Sequence, residues 1–328
     1  MEVATVLIRC ESLLLMVLVA LATPVYAADD WPLRPLRLVV PFPPGGSSDI
    51  TARVISQRLA ERLGQQVVVD NRGSAGGILG AEIVARATPD GYTVVLSNVS
   101  PFTVSPVIFS NVNYDPVSDF THIALIGTVP VVLVVHPDYA AKNVADLVRM
   151  AKAEPRKIDF GTAGNGTVGH VVGEMFKSMT GAELTHIPFR ASAQVFIDLR
   201  ARRISVAFDA LAQNMDRIKQ GLVRPLAISA AKRVAMAPDI PTFVELGYPG
   251  LIGGNWLGIS GPAKVPQPVV QRLHREVLAI VQESDIAERM RSLGITHEPL
   301  SPAEFTRYVA SEFKRWRPIL IAAGVKVN

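Results

Sequence analysis

Two turns in this sequence set glycines, hydroxyl residues and a helix start side by side. The first runs from Pro41 to Asp49 and reads Pro43, Pro44, Gly45, Gly46, Ser47, Ser48, Asp49. The second runs from Gly161 to His170 and combines Gly161, Gly164, Gly166 and Gly169 with Thr162, Ala163, Thr167 and His170. Glycine permits positive φ and lets a ligand approach the main chain. The first turn of a helix presents unpaired N–H groups and a partial positive charge. A loop of this kind binds an anion without lysine or arginine, and Ser47, Ser48, Thr162 and Thr167 add hydroxyls that donate to a carboxylate. One glycine-rich turn can be only a tight turn. Two of them, each between a strand and a helix, point to an anion site shared between them.

Three further strand ends carry polar residues. Ser97 and Asn98 close one of them. Arg190 either pairs with a second ligand carboxylate or is a surface arginine at a turn. Asp209 either accepts an ammonium or hydroxyl from a ligand or caps the next helix. His170 lies in a first helical turn, where the positive helix end disfavours imidazolium, so it is read as a neutral residue of the cleft wall.

Other chemistries lack their residues. Neither turn contains the G-x-x-x-x-G-K-[ST] of a triphosphate loop. Gly164 to Gly169 matches G-x-G-x-x-G, but no acid ends the following strand, Thr185 to Pro188, so no dinucleotide cofactor is expected. The six histidines include no i, i+4 pair and no H-E-x-x-H, so no metal site is expected. No G-x-S-x-G elbow is present. Lys+Arg 33 against Asp+Glu 29 leaves +4 spread along the chain, with no basic run to suit nucleic acid or an acidic membrane.

The elements that carry these residues follow from hydrophobic periodicity. Leu36 to Pro41, Val67 to Val69 and Thr93 to Leu96 read as strands, with helices from about Asp49 to Leu63 and from Ile78 to Ala87. The pattern recurs with Val131 to Val135 and Ile158 to Phe160 as strands. A helix follows whose face is Val168, Val171, Val172, Met175, Phe176 and Met179, ended by Gly181. Thr185 to Pro188, Ile204 to Phe208, Arg224 to Ser229 and Trp256 to Ser260 are further strands. Helices are expected at Asn143 to Pro155, Ser192 to Arg202 and Pro266 to Glu283, and from a capping box at Ser301 to Glu304. Alternating strands and helices predict an α/β fold of two lobes, each with a mainly parallel sheet flanked by helices, joined by crossing strands near Gly127 to Pro130 and Val223 to Ser229. The expected division is 1–27 as a signal peptide, 28–128 with 225–328 as a discontinuous first lobe, and 129–224 as the second.

The signal peptide reading rests on Arg9, the apolar run Leu13 to Ala22, and Val25-Tyr26-Ala27 at the cleavage point. The apolar run is too short to span a bilayer. Cleavage removes Cys10, the one cysteine, which excludes disulfide scaffolds and thiol enzymes from the mature chain.

The runs "RPLRLVVPFPPGGSSDITAR" (Arg34 to Arg53), "VVVDNRGSAGGILGAEIVARATPDGYTVVLSN" (Val67 to Asn98), "YDPVSDF" (Tyr114 to Phe120) and "GTAGNGTVGH" (Gly161 to His170) carry a resemblance. "RPLAISAAKRVAMAPDIPTFVELGYPG" (Arg224 to Gly250) and "GPAKVPQPVVQRLHREV" (Gly261 to Val277) continue it. The mature chain resembles the Bug family of extracytoplasmic solute receptors of tripartite tricarboxylate transporters. The resemblance implies a type II periplasmic-binding-protein-like fold and a non-enzymatic, periplasmic receptor. It implies a small carboxylate held by two pincer loops, Pro43 to Asp49 and the set Thr162, Ala163, Gly164, Gly166, Thr167 and His170, with Ser97, Asn98, Arg190 and Asp209 at the cleft, and delivered to transporter membrane subunits. A monomer without cofactor or nucleic acid is expected. The rival readings are a receptor that reports to a two-component sensor and an exported enzyme acting on a small acid.

Overall fold

The computed structural model describes residues 31–297 and 299–322. The segment 1–27, read as a signal peptide, lies outside the described residues. Among the described residues nine strands are formed: β1 Leu36–Val40, β2 Val67–Asn71, β3 Thr93–Asn98, β4 Phe120–Val135, β5 Ile158–Thr162, β6 Leu184–Pro188, β7 Val206–Ala210, β8 Arg224–Ile228 and β9 Gly254–Pro262. The main helices are α1 Ser47–Leu63, α2 Ile78–Ala85, α3 Ser105–Ile108, α4 Val144–Ala153, α5 Val168–Thr180, α6 Ser192–Arg200, α7 Leu211–Lys219, α8 Gln267–Gln282, α9 Ser284–Ser292 and α10 Pro302–Ala322. A π-helical stretch, Ser100–Val104, leads into α3.

Two lobes are built on one shared strand. In the first, β2, β1 and β3 run parallel, and β9 lies antiparallel between β3 and the first part of β4. In the second, β6, β5 and β7 run parallel, and the last part of β4 lies antiparallel between β7 and β8. The parallel strands are those that β–α alternation predicts. Antiparallel pairing enters only where β4, β8 and β9 carry the chain across. β4 pairs with β9 from Phe120 to Pro130 and with β7 from Val131 to Val135. The sequence shows Val131 to Val135 as a strand and places the crossing near Gly127 to Pro130, but not the stretch from Phe120 to Ile126. Gly127, Pro130 and the two register shifts at His122/Ala124 and Leu125/Gly127 interrupt the rest of the pattern.

The central strands are buried on both faces. Leu38 and Val39 are fully buried and point to opposite sides of β1. Leu38 packs in the cluster with Ile55 and Leu59 of α1 and with Leu273 and Val277 of α8. Val39 joins a larger cluster that continues through Phe102 and Trp256 to Phe160, Val172 and Phe176, with Phe305 and Trp316 of α10. α5 buries Val171, Val172, Met175 and Phe176 as its spacing predicts, whereas Met179 on the same stripe is 40% exposed. Gly64 (φ 67°) and Gly181 (φ 68°) end α1 and α5 in the left-handed conformation expected of them. The Asn143 side chain caps α4 through the Asp146 N–H at 2.8 Å, and Ser301 and Glu304 form their reciprocal box.

Candidate functional site

The first glycine turn links β1 to α1. Pro43 and Pro44 restrict the backbone ahead of Gly45, whose φ of 88° suits glycine. Gly46 is the N-cap residue of α1, in extended conformation (φ −79°, ψ 169°). Having no side chain, it caps nothing. The first intrahelical bond is from the Ile50 N–H to the Gly46 carbonyl, which leaves the N–H groups of the first turn open. Asp49 points back into the turn rather than outward. Its carboxylate accepts from Arg53 Nε (3.0 Å), the Gly45 N–H (2.9 Å) and Asn71 Nδ2 (3.0 Å). The Arg53 bond, then the Gly45 N–H, hold its pKa down at about 2 despite burial. Asp49 is therefore a brace that fixes the shape of the loop.

The second turn links β5 to α5 and is braced by imidazoles. Gly164 (φ 135°) and Gly166 (φ 72°) take conformations that favour glycine. Thr162 is fully buried. Its Oγ1 accepts from the Gly164 N–H (3.3 Å) and lies 2.7 Å from His186 Nε2. His170 Nδ1 accepts from the Gly166 N–H at 3.1 Å, and its ring stacks on His186 with centroids 3.8 Å apart and planes 10° from parallel. Burial, assisted by Lys177, lowers the His170 pKa to about 4. Burial, with His170 and Lys177, takes His186 to about 3. Both rings are neutral, and His170 must be so to accept from Gly166. Thr167, the N-cap residue of α5, does not cap its helix. Its hydroxyl donates to the Gly164 carbonyl at 2.8 Å.

The four glycines of this turn divide by role. A Cβ on Gly161 would lie 2.5 Å from Ile204 Cδ1, and one on Gly169 would lie 2.3 Å from the Phe208 carbonyl oxygen. These two permit close packing of strand and helix. Gly164 and Gly166 shape the turn itself.

Both turns open on one cleft of about 960 Å³ between the lobes. Of the turn and strand-end residues singled out in the sequence, Pro43, Pro44, Gly46, Ser48, Asn98, Ala163, Gly166, Thr167, Gly169 and Asp209 line it. Asp49, Thr162 and His170 stand behind that lining as braces, and Gly45 and Gly164 set the turns. Ser47 opens α1. Ser97 is fully buried, and its Oγ accepts from Ser260 Oγ at 2.9 Å, which in turn lies 2.9 Å from His122 Nδ1. It ties β3, β9 and β4 together beneath the cleft. Arg190 is exposed and away from the lining. Its N–H donates to Gln194 Oε1 at 3.2 Å, in keeping with a surface arginine at a turn.

One wall escaped sequence reading. Ser100, Val104, Ser105 and Ile108 line the cleft. The Ser100 and Ser105 hydroxyls both donate to the Gly76 carbonyl, at 3.2 and 2.9 Å, while Asn98 Oδ1 accepts from the Ser100 N–H at 3.0 Å. The available signal was two Ser-Pro pairs, Ser100-Pro101 and Ser105-Pro106, each with proline at the start of a helical turn. Asn165, Ser192 and Asn255 also reach the lining.

The charge of the lining is one-sided. Among the described residues it contains no lysine, arginine or histidine, and Asp209 is its one charged side chain. The described residues hold no group of three His, Cys, Asp or Glu able to grip a metal ion, and no helix among them is long and apolar enough to cross a membrane.

Two α/β lobes on shared crossing strands, with a cleft where strand ends meet helix starts, define a solute-binding protein of the periplasmic-binding-protein-like class. The sequence matches the tripartite tricarboxylate transporter family receptor over residues 51–325, and the chain belongs to that family. The family, and solved structures similar to this one, are solute receptors rather than enzymes. BugT of Bordetella pertussis is 32% identical over 309 residues, covering 94% of each chain. The structure of R. palustris Rpa4515 with adipate is 34% identical, covers 90% of this chain and 99% of that one, and superposes with a TM-score of 0.74. MatC (Rpa3494) from Rhodopseudomonas palustris with bound malate is 28% identical, covers 88% of this chain and all of that one, and has a TM-score of 0.70.

Proposed function

We propose that this protein is a periplasmic receptor that captures a small carboxylate between its lobes and delivers it to the membrane subunits of a tripartite tricarboxylate transporter. The observation that carries the reading is that two helices reach the cleft with their first turns uncapped. Gly46 has no side chain to cap α1, and Thr167 spends its hydroxyl on the Gly164 carbonyl instead of on α5. Open N–H groups and two positive helix ends then face one space, the arrangement that holds an anion by main chain. The Ser48 hydroxyl adds a donor from the first loop, and Asn98 and Asn165 add side-chain amides. Adipate in one similar structure and malate in another fit this class of ligand.

The proposed lobes are 28–128 with 225–328, and 129–224. The pairing of β8 with Val132–Val135 favours carrying the second lobe on to Ile228. Working as a monomer, the receptor closes to the degree that its ligand binds the closed state better than the open one.

A thermal-shift screen of mono-, di- and tricarboxylates tests this. A ligand at 100 times its Kd raises stability by about 2.7 kcal/mol. A screen in which only uncharged compounds move the melt would refute the carboxylate reading.

A further inference from the structure

We infer that Asp209 makes this receptor select a monocarboxylic acid carrying a hydroxyl or ammonium donor, over a di- or tricarboxylate; the inference rests on the carboxylate reading above. Asp209 ends β7 at the cleft and is 5% exposed. Its Oδ1 accepts from Ser192 Oγ at 2.7 Å and its Oδ2 from Asn214 Nδ2 at 3.0 Å. Both donors are neutral, and no cationic side chain forms an ion pair with it among the described residues. The nearest cation in the network, Arg217, reaches Asp209 only through Asn214, donating to Asn214 Oδ1 at 3.2 Å.

An ionised carboxylate has about four acceptor positions, and the protein fills two. Asp209 lines the cleft, where the remaining positions can take a donor from a ligand. A second ligand carboxylate brought there meets a like charge in a partly dry space, with no lysine or arginine in the lining to offset it. A hydroxyl or ammonium meets an acceptor already fixed in place by α6 and α7. The same lining carries the apolar side chains of Phe42, Val104, Ile108, Val131 and Phe208. The matching ligand has a carboxylate head, an apolar body and one donor.

The test is isothermal titration with matched sets of acids. A six-carbon set is adipate, hexanoate, 6-hydroxyhexanoate and 6-aminohexanoate; a four-carbon set is built likewise, and an aromatic set compares 4-hydroxybenzoate, 4-aminomethylbenzoate, benzoate and terephthalate. In the tightest-binding set, the hydroxy or amino acid is expected to bind at least about tenfold tighter than both the dicarboxylate and the unsubstituted acid. In Asp209→Asn, which keeps shape and removes charge, that preference should shrink below about threefold as the dicarboxylate gains. Native ranking decides the matter even if the variant does not fold. A dicarboxylate that binds native protein as tightly as the donor-bearing acids, or a preference that persists in a folded Asp209→Asn, overturns the inference and leaves Asp209 as a clamp between α6 and α7. Binding by no acid in any set overturns the carboxylate reading as well.

Discussion

Gly46→Ser separates the stability of α1 from the use of its N-terminus. Gly46 has φ −79° and ψ 169°, a conformation open to any L-residue, and a Cβ there would meet nothing nearer than the Pro43 carbonyl oxygen at 4.0 Å. The added side chain is therefore accommodated without strain. Serine is among the preferred N-cap residues, and its hydroxyl would accept from the N–H of Ser48 or Asp49. The fold should gain a few tenths of a kcal/mol, or at least lose nothing. The ligand should lose one donor, and a hydrogen bond to a charged group is worth about 1.5–3 kcal/mol, or roughly 10- to 150-fold in Kd. Thermal melts give the first quantity, and titration of the best ligand from the carboxylate screen gives the second. Unchanged affinity would refute the idea that the open turn of α1 holds the anion. A large fall in melting temperature would refute the account of Gly46 as unstrained and unobstructed.

Gly169→Ala should do the opposite, because its Cβ would lie 2.3 Å from the Phe208 carbonyl oxygen. Overpacking of this kind costs about 1–3 kcal/mol, and a melt that does not fall would contradict the packing role. Asp49→Ala removes the brace on the first loop. Bonds to a charged group, about 1.5–3 kcal/mol, should disappear from stability, and carboxylate binding should weaken at least about tenfold as the loop loses its shape; equal affinity would leave the brace without a role in binding. His122, His170 and His186 have folded-state pKa values of about 4, 4 and 3, against an ordinary 6.5. The unfolded chain then takes up protons first, so stability is complete above about pH 6.5 and falls as pH drops toward 4. His170→Asn should flatten that slope in melts run across this range, and an unchanged slope would show that His170 does not contribute to it.

The parts of the fold legible in sequence are those whose signals are local. β1 is a short run buried on both faces, α5 has a clear stripe, and Gly64 and Gly181 stop helices for the conformational reason that marks them. The two mouths of the cleft were legible for the same reason, since glycine followed by hydroxyl residues at a strand end is a local pattern. The division of labour within them was not. Thr162, Asp49 and His170 carry suitable donors or acceptors, yet each is turned inward by a partner that sequence spacing does not reveal: His186 for Thr162, Asn71 as well as Arg53 for Asp49, and the main chain of Gly166 for His170. Ser97 is committed to Ser260, 163 residues away. The Ser100–Ile108 wall lacks helical periodicity because it begins as a π-turn, and the first part of β4 is disguised by Gly127, Pro130 and its register shifts.

The passage of β4 from one lobe to the other constrains how this molecule moves. A single 16-residue strand serves as the spine on which both leaves are bound. On either side of Pro130 and Val131 it is stitched into a different ladder, to β9 before and to β7 after. Pivoting of one leaf against the other therefore falls on the few peptide units at that junction, where Pro130 has no N–H to give and Ser229, on the returning chain, ties the main chains of Val131 and Gly253 together.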